Sequence, residues 1–127
     1  MNSIGIIPAR YASTRFPAKP LIDIHGKTMI QRVYEQVKKS TALDYVVVAT
    51  DDERIFDVVQ AFGCDALMTA EYHQSGTDRC LDAVLQLDQK FDVIVNIQGD
   101  EPFISPEQIN LILSCFNQEN TEIATLV

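Results

Sequence analysis

The chain has 127 residues, 46% of them apolar and 22% charged, which fits one globular domain and excludes an intrinsically disordered chain. Its net charge of −8 argues against a DNA or RNA partner, since phosphate polymers would be repelled, but still allows one nucleotide at a local basic site. No apolar run reaches the ~18 to 20 residues that span a bilayer and no signal peptide is recognisable, so we predict a cytoplasmic protein with no membrane partner.

Short apolar runs along the chain predict five strands. Residues 4–7 form the first, and residues 45–49 (YVVVA) form a continuously apolar run typical of a strand covered on both faces. A weaker strand is predicted at residues 65–68, a buried one at residues 92–97 (DVIVNI), and a last one at residues 123–127.

Four helices are predicted between these strands, each after a capping residue: Thr28, Asp51 or Asp52, Ser75 and Ser105. The threonine and the last serine are each followed three residues later by a glutamine, which is the capping-box pattern. Apolar residues at helical spacing define the buried faces. They are Met29, Ile30, Val33, Tyr34 and Val37 in the first helix, Ile55, Phe56, Val59 and Phe62 in the second, Leu81, Val84 and Leu85 in the third, and Ile109, Ile112, Leu113 and Phe116 in the fourth.

This alternation predicts an α/β fold, with a mostly parallel sheet between helices on both faces. Ligands of such sheets bind at the carboxyl ends of the strands. The cationic loop, residues 10–21, follows the first strand and carries Arg10, Arg15 and Lys19, while the segment 98–102 (QGDEP) follows the strand DVIVNI.

Cations and carboxylates at one edge are what a nucleoside triphosphate with Mg²⁺ requires, because phosphates need neutralising and Mg²⁺ prefers carboxylate and phosphate oxygens. Glycine-rich phosphate-binding motifs are absent, so side-chain cations would replace backbone groups. The same residues also fit ordinary structural roles. The three cations of the loop fit a solvated surface, Asp100 fits a turn, and Ser75 with Gly76 fits a helix cap.

Four segments in register carry a resemblance to a known family: PARYASTRFPAKPL, VATDD, HQSGTDR and VNIQGDEP. They resemble the sugar-activating cytidylyltransferases, and within them the branch that uses 3-deoxy-manno-octulosonate (Kdo). The resemblance implies a Rossmann-like nucleotidyltransferase fold and a magnesium-dependent reaction in which CTP and Kdo give CMP-Kdo and pyrophosphate, for lipopolysaccharide biosynthesis. It also implies that full-length members of the family form homodimers.

The resemblance assigns roles to individual residues. Arg10, Lys19 and Asp100 would be catalytic, and Asp100 would hold the metal. The CTP-binding residues would be Ala9, Arg10, Arg15, Lys19, His73, Ser75, Gly76, Arg79, Gln98 and Asp100. His25 is predicted to be a loop residue, and Cys64, Cys80 and Cys115 are predicted to be thiols in or near the core, without a nucleophilic role.

The chain ends inside an apparent strand, whereas the family continues with a region that completes the sugar site, adds a metal-binding aspartate and forms the dimer. We therefore predict that residues 1–127 are the nucleotide-binding part of a single nucleotidyltransferase domain, able to bind CTP but poor in turnover. Two other hypotheses remain: a nucleotidyltransferase with a different sugar or base, and a non-catalytic nucleotide-binding module.

Overall fold

The computed structural model describes residues 3–11, 19–69, 76–87, 91–97, 105–114 and 122–126. Strands and helices alternate through them, as predicted. The elements are β1 (Ser3–Ala9), β2 (Asp23–Ile24), β3 (Lys27–Thr28), α1 (Met29–Lys38), β4 (Tyr45–Thr50), α2 (Glu53–Ala61), β5 (Asp65–Met68), α3 (Gly76–Gln86), β6 (Val93–Ile97), α4 (Pro106–Ser114) and β7 (Glu122–Leu126). No helix in these ranges is long and apolar enough to cross a membrane.

Five of the strands form one sheet in the order β5-β4-β1-β6-β7, and every pair in it is parallel. β1 lies in the centre, where Ile4 is in register with Tyr45 of β4 on one side and with Ile94 of β6 on the other. Because all five strands run in the same direction, their carboxyl ends share one edge of the sheet, which we call the rim.

Each face of the sheet is covered by its own apolar core. Alternate strand residues point to opposite faces, so Ile7 and Val48 pack with α1, α2 and α4, while Ile6 and Val47 pack with α3. All four side chains are fully buried, and each contributes about 1.5–3 kcal/mol of apolar burial. The prediction of a strand covered on both faces is confirmed for β4, and that of a buried strand is confirmed for β6.

Capping residues start the helices where the sequence predicts. Thr28 accepts a hydrogen bond from the backbone N–H of Gln31 at 3.3 Å. The side-chain amide of Gln31 donates to the Glu35 carboxylate at 3.4 Å. Asp52, rather than Asp51, caps α2 by accepting from the backbone N–H of Arg54 at 2.8 Å.

Two local features differ from the prediction. A small hairpin, β2 and β3, precedes α1, and its turn contains His25 at a positive φ of 51°, which confirms His25 as a loop residue. The prediction that Leu85 lies on the buried face of α3 is wrong, because its side chain is 85% exposed. The buried face of α3 instead contains Cys80 and Ala83, and a residue two positions beyond Ala83 points away from that face at 100° per residue.

Candidate functional site

The cationic loop begins at the rim, at the end of the central strand. Ala9 closes β1 and is buried, in register with Thr50 of β4, whereas the next residue, Arg10, is exposed. Among the residues that the structure describes, none pairs with the Arg10 side chain, so its guanidinium faces solvent at the rim. The structure therefore places one predicted phosphate-binding cation where ligands of parallel sheets bind.

The other end of the cationic loop is fixed against the core by a single 3₁₀ turn, Lys19–Leu21. Pro20 is buried and Leu21 packs against the core that α1 and α2 cover. The backbone N–H of Ile22 donates to the carbonyl of Lys19 at 3.2 Å, which closes the turn. Lys19 is half-buried and starts this turn, so its backbone position is set by packing on the helices.

Arg54, at the start of α2, stacks on Tyr11, the residue after Arg10. The guanidinium carbon of Arg54 lies 3.3 Å from the centre of the Tyr11 ring. Two side-chain hydrogen bonds to the Asp52 carboxylate, of 3.0 and 2.7 Å, orient the same guanidinium. The hydrogen bond from the Arg54 side chain is the largest cause that lowers the pKa of Asp52, which keeps the carboxylate ionised.

Arg79, predicted from the resemblance to lie by the nucleotide base, is only 1% exposed. Its Nη1 donates to the Thr69 hydroxyl at 2.5 Å, and its Nη2 lies 3.5 Å from the Asp51 carboxylate. We call Arg79, Thr69 and Asp51 the arginine cluster. It joins the first turn of α3 to the carboxyl ends of β4 and β5, so the guanidinium has a structural role, while its contact with a base stays a prediction.

Several predicted site residues lie outside the described residues, namely Arg15, His73, Ser75, Gln98 and Asp100. Gly76 is described as the first residue of α3, directly after Ser75. In β6, which precedes Gln98, the side chain of Asn96 is 2% exposed, and its Oδ1 has no hydrogen-bond partner among the described residues.

The described part of the chain contains no group of three or more metal-binding side chains. A magnesium ion held by one carboxylate and by phosphate oxygens of a nucleotide still fits, because Mg²⁺ is usually bound in this way rather than by a protein cage. Asp100 is the candidate carboxylate, three residues after the end of β6 in the sequence.

Two of the cysteines are unsuited to nucleophilic chemistry. Cys64 and Cys80 are both buried, which confirms their prediction as core thiols; Cys115 lies outside the described residues. Burial raises the pKa of each of the two thiols to about 12, so neither forms a thiolate near neutral pH.

The sequence does not predict the Arg54–Tyr11 stack or the burial of Arg79. Tyr11 is visible beside Arg10 in the motif PARYASTR, and Arg54 follows the capping residue Asp52 by two positions. Nothing in the spacing links two residues that are 43 positions apart and lie on different elements.

Solved structures with similar folds support the architecture. One is described as CMP:2-keto-3-deoxy-manno-octonic acid synthetase complexed with CTP; it is 46% identical, with a TM-score of 0.85 over 90% of this chain and 46% of its own. A cytidylyltransferase from Leptospira borgpetersenii is 29% identical, with a TM-score of 0.78 over 94% of this chain and 51% of its own. The predicted Rossmann-like nucleotidyltransferase fold is thereby confirmed.

Curated relatives agree in sequence over the whole chain. A 3-deoxy-manno-octulosonate cytidylyltransferase of Parabacteroides distasonis is 65% identical over all 127 residues, which are 50% of its length. The mitochondrial protein of the same name from Arabidopsis thaliana is 58% identical over 107 residues, 84% of this chain and 37% of its own. The chain thus spans about half the length, or less, of these relatives. The sequence profile of the cytidylyltransferase family matches residues 4–127, and the chain belongs to that family.

Proposed function

We propose that this chain provides the CTP-binding part of a cytidylyltransferase that transfers CMP from CTP to Kdo and releases pyrophosphate, in lipopolysaccharide biosynthesis. One observation carries the proposal: Arg10 is exposed at the end of the central strand, and Lys19 is fixed by a 3₁₀ turn at the other end of the same loop. The relatives named for Kdo, at 65% and 58% identity, support this sugar over others.

In the proposed reaction, the anomeric hydroxyl of the sugar attacks the α-phosphorus of CTP in line, and pyrophosphate leaves. Arg10, Arg15 and Lys19 bind the phosphates and stabilise the charge that develops on them. Under this proposal, His73, Ser75, Gly76 and Gln98 would contact the nucleotide. No covalent intermediate is required, in agreement with the raised pKa of the buried thiols Cys64 and Cys80.

Asp100 would bind Mg²⁺, which supplies further neutralisation of the phosphate charge when it is bound. The protein side chains would orient the triphosphate and exclude water from it. We further propose a homodimer and a cytoplasmic location for the whole protein. The homodimer follows the family resemblance, and the location fits the free thiols of Cys64 and Cys80, since a reducing compartment keeps cysteines unpaired.

Binding and turnover should be measured on two proteins. One is this 127-residue chain, and the other, the completed chain, continues it with the remaining residues of the Parabacteroides distasonis relative. Calorimetry with CTP and Mg²⁺ should detect binding by both. Pyrophosphate release with CTP and Kdo should be detected for the completed chain alone, because orientation of the sugar contributes several kcal/mol to catalysis.

Replacing each substrate separates the alternatives. Release of pyrophosphate with another sugar or with UTP, and not with Kdo and CTP, would assign a different nucleotidyltransferase activity. CTP binding with no turnover by the completed chain would assign a non-catalytic nucleotide-binding module. Turnover by the 127-residue chain itself would show that its sugar site is already complete.

A further inference from the structure

The two ends of the cationic loop are anchored in different ways. At the Lys19 end, a closed 3₁₀ turn and the buried Pro20 hold the backbone. At the Arg10 end, the strand stops at Ala9, and the first described side-chain anchor beyond it is Tyr11, which packs partly against the core. The direction of the exposed Arg10 therefore depends on how firmly its neighbour Tyr11 is held.

Arg54 holds Tyr11 from the outer side. Its guanidinium stacks on the ring at 3.3 Å and cannot swing away freely, because the Asp52 carboxylate binds it through two hydrogen bonds. Asp52 is itself fixed, since its side chain also accepts from the backbone N–H of Arg54 as the cap of α2. A planar guanidinium suits this arrangement, because it stacks on an aromatic face while its edge pairs with a carboxylate.

We propose that the chain Asp52, Arg54 and Tyr11 is a positioning device for Arg10, which orders this residue at the rim before the triphosphate of CTP arrives. The inference rests on the proposed function, because it needs CTP as the ligand of the cationic loop. Pre-ordering raises affinity, since the cost of fixing Arg10 and Tyr11 is then met within the free protein and not at binding.

The competing hypothesis is that Arg54 contacts the phosphates directly as a fourth cation. Its side chain is 59% exposed, so the test needs variants that separate charge from stacking. Arg54→Lys keeps the positive charge but loses the planar stack and the two-bond pair. Tyr11→Leu removes the ring and leaves every cation in place, while Tyr11→Phe keeps the ring.

CTP affinity should be measured by calorimetry for these variants of the 127-residue chain and of the completed chain. Lys27→Ala is the matched control, because Lys27 also forms an exposed ion pair, with Glu35 at 2.9 Å, and its loss removes one positive charge from the chain. We expect Arg54→Ala, Arg54→Lys and Tyr11→Leu each to weaken CTP binding about two- to fivefold, the range of an exposed cation–π contact. Tyr11→Phe and Lys27→Ala should bind CTP like the wild type.

A second measurement does not depend on CTP. Trypsin cuts after arginine, and the bond after Arg10 joins it to Tyr11, the residue that Arg54 contacts. Without nucleotide, Arg54→Ala and Tyr11→Leu should be cut at this bond about two- to fivefold faster than the wild type, in proportion to their loss of affinity. Lys27→Ala should be cut at the wild-type rate, and urea denaturation should show all variants folded under the assay conditions.

The double variant Arg54→Ala with Tyr11→Leu completes the test. If Arg54 and Tyr11 act as one device, the double variant should bind CTP with the same affinity as the weaker-binding single variant. Wild-type affinity in Arg54→Lys or in Tyr11→Leu, or additive losses in the double variant, would overturn the positioning role. If the wild type itself does not bind CTP, the proposed function fails and this inference fails with it; if it binds and the variants bind equally well, this inference alone fails.

Discussion

The two ends of the parallel sheet handle their polar groups differently. At the amino end, polar groups pair with one another: the backbone N–H of Ser3 donates to the Asp44 carboxylate at 2.8 Å, and the Tyr45 hydroxyl donates to Asp65 at 2.5 Å. At the rim, Arg10 is exposed, without a side-chain partner among the residues that the structure describes. In the described residues, the amino end thus pairs these polar groups with one another, whereas the rim leaves the charge of Arg10 available to a ligand.

The arginine cluster shows that position at the rim is not sufficient for this availability. Arg79 also lies at the carboxyl ends of strands, but it is buried and bound to Thr69 and Asp51. Burial and pairing therefore divide the rim cations into two groups, one that is exposed and available to a ligand and one that is buried and supports the fold. Substitutions in the two groups should have different effects on turnover and on stability.

The largest effect is expected for Lys19→Ala in the completed chain. Loss of the ammonium should cost about 2–4 kcal/mol of transition-state stabilisation, a nearly complete loss of pyrophosphate release. Thermal melts should stay close to the wild type, because Pro20 and Leu21 still hold the turn. Lys27→Ala serves as the control, and an unchanged kcat and KM for CTP in Lys19→Ala would contradict the assignment.

The opposite pattern is expected for Arg79→Met. The substitution leaves the Thr69 hydroxyl and the Asp51 carboxylate without their donor, so the free energy of unfolding should fall by about 3 kcal/mol in urea titrations. Arg54→Met is the comparison, since its side chain is largely exposed, and it should change stability much less. A loss after Arg79→Met as small as that expected for Arg54→Met would show that the buried cluster adds little to the stability of the fold.

Asp100→Asn tests the carboxylate that would hold the metal. The magnesium concentration for half-maximal turnover of the completed chain should rise about tenfold or more, since even residues that only support a metal ligand change affinity by about 10–100-fold. The melting temperature should not change. Normal magnesium dependence would assign Asp100 to the turn alone.

The smallest effect on stability is expected for Tyr45→Phe, at the amino end of the sheet. Burial, and then the hydrogen bond to Asp65, raise the pKa of Tyr45 from 10.0 to about 12. The fold therefore favours the protonated phenol, and its contribution to stability is complete below about pH 10 and is lost as the pH rises towards about 12. In melts, the difference between wild type and Tyr45→Phe should shrink across this window. The buried thiols titrate equally in both proteins, so a constant difference would exclude this role for Tyr45.

Most of the fold could be predicted because buried parallel strands are marked directly in the sequence. Runs such as YVVVA are apolar on both faces, and Thr28 and Ser105 provide capping side chains that the structure uses, at 3.3 and 3.4 Å. Arg10 at the rim follows from the same reasoning, since a loop after the first parallel strand lies at the carboxyl edge.

The failures concern residues whose environment comes from other elements. Leu85 is predicted to be buried because leucine is more apolar than cysteine or alanine. In the structure, the smaller side chains of Cys80 and Ala83 form the contact with the sheet instead. An arginine has no sequence pattern that separates a buried position from an exposed one. Arg79 pairs with Thr69, which is 10 positions away, and with Asp51, which is 28 positions away. The burial of Arg79 therefore becomes apparent only when α3 is packed against the ends of β4 and β5.

The central place of β1 has a consequence for synthesis on the ribosome. This strand is made before the other four strands of the sheet, but Ile4 cannot pair until Tyr45 of its first neighbour and Ile94 of its second neighbour have been made. Non-local parallel pairing is slow, and an apolar segment that is uncovered during translation is exposed to chaperones and to other nascent chains. The cationic loop starts where this strand ends and the proposed nucleotide site extends to Asp100, so this site would be completed only after about four-fifths of these 127 residues have been made.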